Sequence, residues 1–226
     1  MSYRIIKEKL AAKESILLDG GIGTEVLRRG IRWRQHGIED APDVIRSIHV
    51  DYLEAGVDVL TTHTFNLTKR NFINFFRDTE HMSLIGPAGL PTKAMELCQA
   101  AVSLAKEALT QTGKAETIPL AGSIAPVMHL FRPDLSPSKD DCLTHHSECV
   151  EILSDCGVDF IFFEGMNNTR ETQAALQAAA GFDLPVWMSF VPGMDGNLLN
   201  GESLSDAADL ARGNGAEAVL VSAGTI

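Results

Sequence analysis

A carboxylate followed at once by two glycines, Asp19-Gly20-Gly21, is the first group in this sequence with a chemistry of its own. It follows the apolar run Ser15-Ile16-Leu17-Leu18, which reads as a buried strand, and it stands where a strand hands over to a loop and then a helix. Glycine has no Cβ, so this loop can reach positive φ and turn backbone N–H groups toward a ligand, while Asp19 adds an acceptor. The plainer alternative is a tight turn with a capping aspartate. Glu164 is the second such group. Placed after Phe160-Ile161-Phe162-Phe163, it is a carboxylate at the edge of an apolar environment, able to hold a ligand ammonium or to act as a base with a raised pKa. Its alternative is a helix cap or the partner of a buried base. Read as strand ends, Asp19, Thr62 to Phe65, Ser123, Glu164, Ser189 and Ser222 share one carboxyl-terminal face.

The elements that must position these groups share one grammar. Ser15 to Gly21, Val57 to Phe65, Ile118 to Pro126, Val158 to Met166, Leu184 to Pro192 and Ala216 to Gly224 each run apolar and β-branched, then end in Gly, Ser, Thr, Glu or Pro. Near-continuous hydrophobicity marks strands covered on both sides, as in a parallel sheet. Helical patterns lie between them. Asp40-Ala41-Pro42-Asp43 starts one whose face carries Ile45, Ile48, Tyr52 and Leu53, and Gly56 stops it. Ile85 to Pro91 reads as a loop before a helix with Leu97, Ala101, Leu104 and Ala108 on one face. Pro126 to Ser138 is a long loop of the kind that often forms a lid, and the next helix starts near Lys139. Further helices are expected from about Thr169 to Ala180 and from about Ser203 to Arg212.

A repeating βα chain is either a doubly wound sheet or a (β/α)8 barrel. Polar, glycine-rich mouths at several strand ends favour the barrel, in which every strand contributes to one site. Only six βα units are legible, so the expectation is an α/β chain of the TIM-barrel type, incomplete, with the last two units missing. Residues 1–226 are then one barrel domain truncated at its C-terminal side. Its open edges at Leu17 and Val221 carry no charge, proline or bulge, which points to an oligomer or to a partner that completes the barrel.

Composition sets limits on partners. The chain of 226 residues is 45% hydrophobic, enough for a full core without disulfides. With 19 basic against 30 acidic residues its formal charge is −11, which disfavours nucleic acid and anionic membrane surfaces. No apolar stretch approaches the length of a membrane span, and four cysteines without paired short spacings suit a reducing, cytoplasmic location. Cys142, Cys149 and Cys156 recur every seven residues, and Cys142/His146 and His145/Cys149 are helical i, i+4 pairs that could clamp a metal. With Ile152 and Leu153 they read better as the apolar stripe of a helix, and Cys98 sits likewise beside Leu97 and Ala101.

Six stretches together resemble the homocysteine S-methyltransferases, especially the small bacterial type that uses S-methylmethionine. They are Leu17 to Glu25 with Trp33 downstream; His49 to Phe65, ending Thr-Thr-His-Thr-Phe; Ala121 to Pro126; Asp159 to Glu164; Pro185 to Phe190; and Asp195 to Ser203. The resemblance implies a (β/α)8 barrel that binds homocysteine at its mouth and transfers a methyl group to the thiol, giving methionine. Carried over residue by residue, Asp19, Gly20, Gly21 and Glu164 hold the amino acid's polar groups, with Thr64, Phe65 and Trp33 completing the pocket. His63 stands where the family more often has asparagine.

The resemblance also implies zinc, held by one cysteine at the end of the sixth strand and by two adjacent cysteines at the end of the eighth. Zinc keeps a thiol of ordinary pKa about 8.5 as its nucleophilic thiolate. Here Val221-Ser222-Ala223-Gly224 puts alanine at the first ligand position, and no double-cysteine motif occurs, so none of the three family ligands is present. The expectation is a truncated or degenerate methyltransferase domain, with homocysteine and a methyl donor as its small-molecule substrates, that retains the amino-acid pocket but has no metal ligands. The rival is a catalytically impaired homocysteine or amino-acid binding module. An aldolase-like barrel is disfavoured because no strand end carries a Schiff-base lysine.

Overall fold

The computed structural model describes residues 2–31, 35–70 and 89–222. Trp33, residues 85–88 of the second crossover, and Ala223 with Gly224 lie outside these residues. Strands β1 (Leu60–Thr61), β2 (Leu120–Ile124), β3 (Phe160–Met166), β4 (Val186–Phe190) and β5 (Ala216–Val221) form one parallel sheet in sequence order. Helices α1 (Ser2–Ala11), α2 (Ile22–Arg28) and α3 (Pro42–Ala55) precede β1. Helix α4 (Lys93–Gln111) leads into β2, α5 (Lys139–Asp155) into β3, α6 (Thr169–Ala179) into β4 and α7 (Leu204–Gly213) into β5. A strand order that never reverses, joined by crossovers of one hand, puts every crossover helix on the same face. A doubly wound sheet needs a reversal in that order, so the architecture is barrel-type α/β, seen as an incomplete arc among the described residues.

Period-two alternation separates the faces of the sheet. Ile161, Phe163, Met188 and Phe190 pack outward against Leu53, Val102, Ala105, Val150 and Leu153 of the helices. Phe160, Phe162 and Trp187 point inward and join Val59, Ala121, Ile16, Leu18, Ala218 and Leu220 in a single cluster. That cluster draws on every strand region from first to last, which requires the sheet to curl. Helix ends follow local signals: Ser138, Asn168 and Ser203 accept from the backbone N–H three residues on, and Gly56 caps α3 at φ 90°.

Two strand expectations need correction. The first strand is a single bridge, Leu18 to Val59, with one neighbour among the described residues and Gly20-Gly21 following immediately. The second ends at Thr61, and His63 to Asn66 form a turn in which Asn66 has φ 65°. Both outer edges are exposed, with Leu17 at 55% and Val221 at 61%.

Helix α1 had no counterpart in the sequence reading, and it closes the barrel floor. Tyr3 and Ile6 enter the inner cluster, where the Tyr3 ring packs on Phe160 at a 49° tilt, centroids 5.1 Å apart. Trp187 Nε1 donates to the Tyr3 hydroxyl (2.8 Å), which donates to Glu217 Oε2 (2.9 Å). Ser2 Oγ donates to Asp159 Oδ1 (2.7 Å) and Lys9 Nζ to Asp58 Oδ1 (2.6 Å). These aspartates belong to a repeated Gly-Val-Asp, at 56–58 and 157–159, and each also accepts the backbone N–H at the start of the preceding strand region, Leu17 or Leu120. The repeat thus marks the strand starts that carry the floor. Ile6→Ala is expected to cost about 2–5 kcal/mol in urea unfolding, the range for truncating a buried branched residue. Equal midpoints for variant and parent would remove α1 from the core.

Candidate functional site at the barrel mouth

At the carboxyl ends of the strands the inward positions turn from apolar to polar. Asp19 follows the Leu18 bridge, and its carboxylate accepts Thr61 N–H (2.8 Å) and the Thr61 hydroxyl (2.9 and 3.0 Å). On β2 and β3, Ser123 Oγ donates to Glu164 Oε2 (2.7 Å). On β4 and just past β5, the Ser189 and Ser222 hydroxyls pair at 2.7 Å. Asp19, Ser123, Glu164, Ser189 and Ser222 were sequence-expected members of this face, as were Thr62 to Phe65, of which Thr62 is buried with its hydroxyl accepting Ser123 N–H (3.1 Å). Thr61 was missed, although the alternation Val59 inward, Leu60 outward gives it away.

Glu164 owes its aim to a bulge. The β3 to β4 register shifts between Phe163 and Met166, and Gly165 sits there at φ 81°. Gly165 N–H donates to Ser189 Oγ (2.8 Å), so the serine pair also fixes the bulge. A methyl group on Gly165 would lie 2.3 Å from Leu130 Cδ1 and 3.4 Å from Val191 Cγ2. The positive φ expected of the Asp-Gly-Gly loop belongs here instead. Neither Gly20 nor Gly21 has it; Gly21 caps α2 at φ −66°. Gly20 is needed for space, since a Cβ there would meet the Tyr52 hydroxyl at 2.6 Å.

The two carboxylates share one electrostatic environment. Each is partly open to solvent, yet protein crowds both. Burial pushes the Asp19 carboxyl up to about 7 against the donors from Thr61, and the charge of Glu164 adds to the rise. Burial raises Glu164 as well, opposed by the Ser123 hydrogen bond. Neither carboxylate has an ion-pair partner among the described residues. A mouth of this kind disfavours its own negative charge, a cost that a cation brought beside it would offset.

The remaining sequence-expected residues are placed as follows. Thr64 is buried, and its hydroxyl donates to the Ser123 carbonyl (2.7 Å), linking the turn to β2. Phe65 is half-buried, and its carbonyl accepts from His36 Nε2 (2.8 Å). His63 Nε2 donates to the His36 carbonyl (2.9 Å), and burial drives its pKa down to about 4, so it is a neutral wall residue. Trp33 falls outside the described residues.

The cysteines stand apart from the mouth. Cys98, Cys142 and Cys149 are buried on α4 and α5, and Cys156 caps α5. Burial pushes the Cys149 thiol up to about 12 and Cys142 to about 11. His146, the other half of one i, i+4 pair, bonds Glu171 Oε1 at 3.2 Å. No group of three or more His, Cys, Asp or Glu among the described residues could hold a metal. The described mouth offers oxygen donors and one imidazole, His63, whose Nε2 already donates to the His36 carbonyl, a set that does not fit a zinc site built on thiolates. Ala223 lies outside the described residues.

Comparison with known proteins identifies relatives of this chain. A family described as Homocysteine S-methyltransferase matches residues 16–224. The homocysteine S-methyltransferase of Escherichia coli (strain K12) is 28% identical over 92% of this chain and 68% of its own length. The selenocysteine methyltransferase of Astragalus bisulcatus is 27% identical over 93% and 69%, and homocysteine S-methyltransferase 4 of Zea mays 27% over 86% and 60%. The chain thus spans 60–69% of these relatives. The crystal structure of the homocysteine methyltransferase MmuM from Escherichia coli, in its metallated form, superposes with a TM-score of 0.76 at 26% identity, covering 94% of this chain and 76% of that one. No helix among the described residues is long and apolar enough to cross a membrane. By the match over residues 16–224 and the shared barrel, this chain belongs to the homocysteine S-methyltransferase family.

Proposed function

We propose that the mouth binds homocysteine by its ammonium group, between Asp19 and Glu164, for transfer of a methyl group to the thiol. The observation that carries this reading is a pair of carboxylates in one barrel mouth, both raised in pKa by burial, with no cationic side chain among the described residues paired to either. Thr61 orients Asp19 and Ser123 orients Glu164, so both acceptors are set before the ligand arrives. Gly20 lets the loop approach the amino acid closely, and Thr64, Phe65 and Trp33 wall the pocket by family likeness. In the transfer, the homocysteine sulfur forms a bond to the methyl carbon as the donor's bond to it breaks. The donor leaves with that electron pair, and the thiol proton is released. The described residues bind and orient the amino acid; no step is assigned here to zinc, because their donor set does not fit it.

Isothermal titration calorimetry tests the reading. Homocysteine is expected to bind, whereas 4-mercaptobutyrate, which lacks the ammonium, is not. The affinity should also depend on pH in a stated direction. A ligand cation favours the ionised form of Asp19, so binding strengthens as pH rises through about 7 and releases a proton below it. Ionisation goes from about one tenth to about nine tenths between pH 6 and 8, so affinity rises about tenfold. Equal binding of the two ligands, or an affinity that falls over this interval, would overturn the assignment.

A further inference from the structure

The loop after β2, residues 127–136, is tied down mainly by side chains just after Glu164 in sequence, with Arg70 Nε also donating to Met128 Sδ (3.3 Å). Glu171 on α6 is buried, and its carboxylate reaches both ends of the loop: Val127 N–H donates to Oε1 (2.6 Å) and Ser136 Oγ to Oε2 (2.7 Å). Burial acts to raise its pKa, but donors from His146, Val127 and Ser136 outweigh this and hold it below the usual range, so Glu171 remains charged. Asn167 Nδ2 donates to the His129 and Leu130 carbonyls (3.0 and 2.9 Å) in mid-loop. Asn168 bridges the two, giving Nδ2 to Asn167 Oδ1 (2.8 Å) and accepting the Glu171 N–H (2.8 Å). The side chain thus held in place is Leu130, which covers Gly165 where a Cβ would stand.

We propose that Glu171 is a positioning residue for the amino-acid pocket: it anchors both ends of the 127–136 loop, and the loop presses Leu130 onto the Gly165 bulge that aims Glu164. The lid expected of this long loop is then a fixed wall, and a carboxylate remote from the ligand sets the ligand-facing one. This differs from a purely structural buried ion pair. A structural role changes stability alone, whereas a positioning role also alters the surroundings of Glu164 in the folded protein.

The inference deepens the homocysteine reading and rests on it only for the choice of Glu164 as the ligand-facing group. Its test therefore begins without ligand. Carboxyl-carbon NMR of glutamate-labelled protein, with the Glu164 signal assigned by its loss in Glu164→Gln, follows the titration of Glu164 beside Asp19. Glu171→Gln and Leu130→Ala are each expected to shift that titration downward, toward an ordinary carboxylate, as water reaches the loosened bulge. Leu130→Ala leaves the buried network intact, so it decides the matter where Glu171→Gln does not fold. In the folded variants, homocysteine Kd should rise about ten- to a hundredfold, as for a misplaced binding group. An unchanged Glu164 titration in folded Leu130→Ala overturns the proposal whether or not homocysteine binds. A shifted titration with no homocysteine binding by the parent upholds the positioning role and overturns the ligand reading instead.

Discussion

Glu164→Gln is expected to weaken homocysteine binding about a hundredfold, roughly 3 kcal/mol, the scale for removing one partner of a desolvated charge pair. Glutamine keeps the shape and can still accept the Ser123 hydroxyl, so what is lost is the charge that meets the ammonium. Some affinity should remain, because Asp19 keeps its carboxylate and its own donors from Thr61. Ser123→Ala should cost less, since it removes a neutral donor to Glu164 and leaves the charge in place. Titration calorimetry on the two variants ranks them. Equal losses, or an unchanged Kd in Glu164→Gln, would leave the ammonium site without support.

Gly165→Ala should produce the largest loss of stability among single methyl additions at this site. An L-residue at φ 81° costs about 1–2 kcal/mol, and displacing Leu130 from 2.3 Å adds roughly 1–3 kcal/mol of overpacking. The sum, about 2–5 kcal/mol, corresponds to a fall in Tm of roughly 5–15 °C for a chain of this size. Homocysteine affinity should drop as well, because the bulge aims Glu164. Gly181→Ala is the control: nothing lies within 4 Å of its added methyl and its φ is ordinary, so Tm should barely move. A scanning-calorimetry result in which both variants melt together would show that the bulge relaxes without strain.

The sequence by itself determined the parallel βα order, because runs such as Phe160-Ile161-Phe162-Phe163 and the caps Ser138, Asn168, Ser203 and Gly56 act within a few residues of themselves. It also determined that Asp19, Ser123, Glu164, Ser189 and Ser222 end their strand regions, since an apolar run breaking to a polar residue needs no partner to be seen. Only the tertiary structure decided what these residues face. Thr61 joins Asp19 because the bridge between Leu18 and Val59 sets those two strand ends side by side, and the second strand stops there, four residues earlier than its hydrophobicity suggests, leaving His63 to Asn66 as a turn. Helix α1 was hidden because its charged residues Arg4, Lys7, Glu8 and Lys9 mask a face of two large side chains, Tyr3 and Ile6, whose partners lie far along the chain. The bulge at Gly165 and the hold of Glu171 on Val127 and Ser136 were equally invisible. A register shift and a hydrogen bond across 44 or 35 residues exist only once the sheet has curled and brought the strand ends to one mouth.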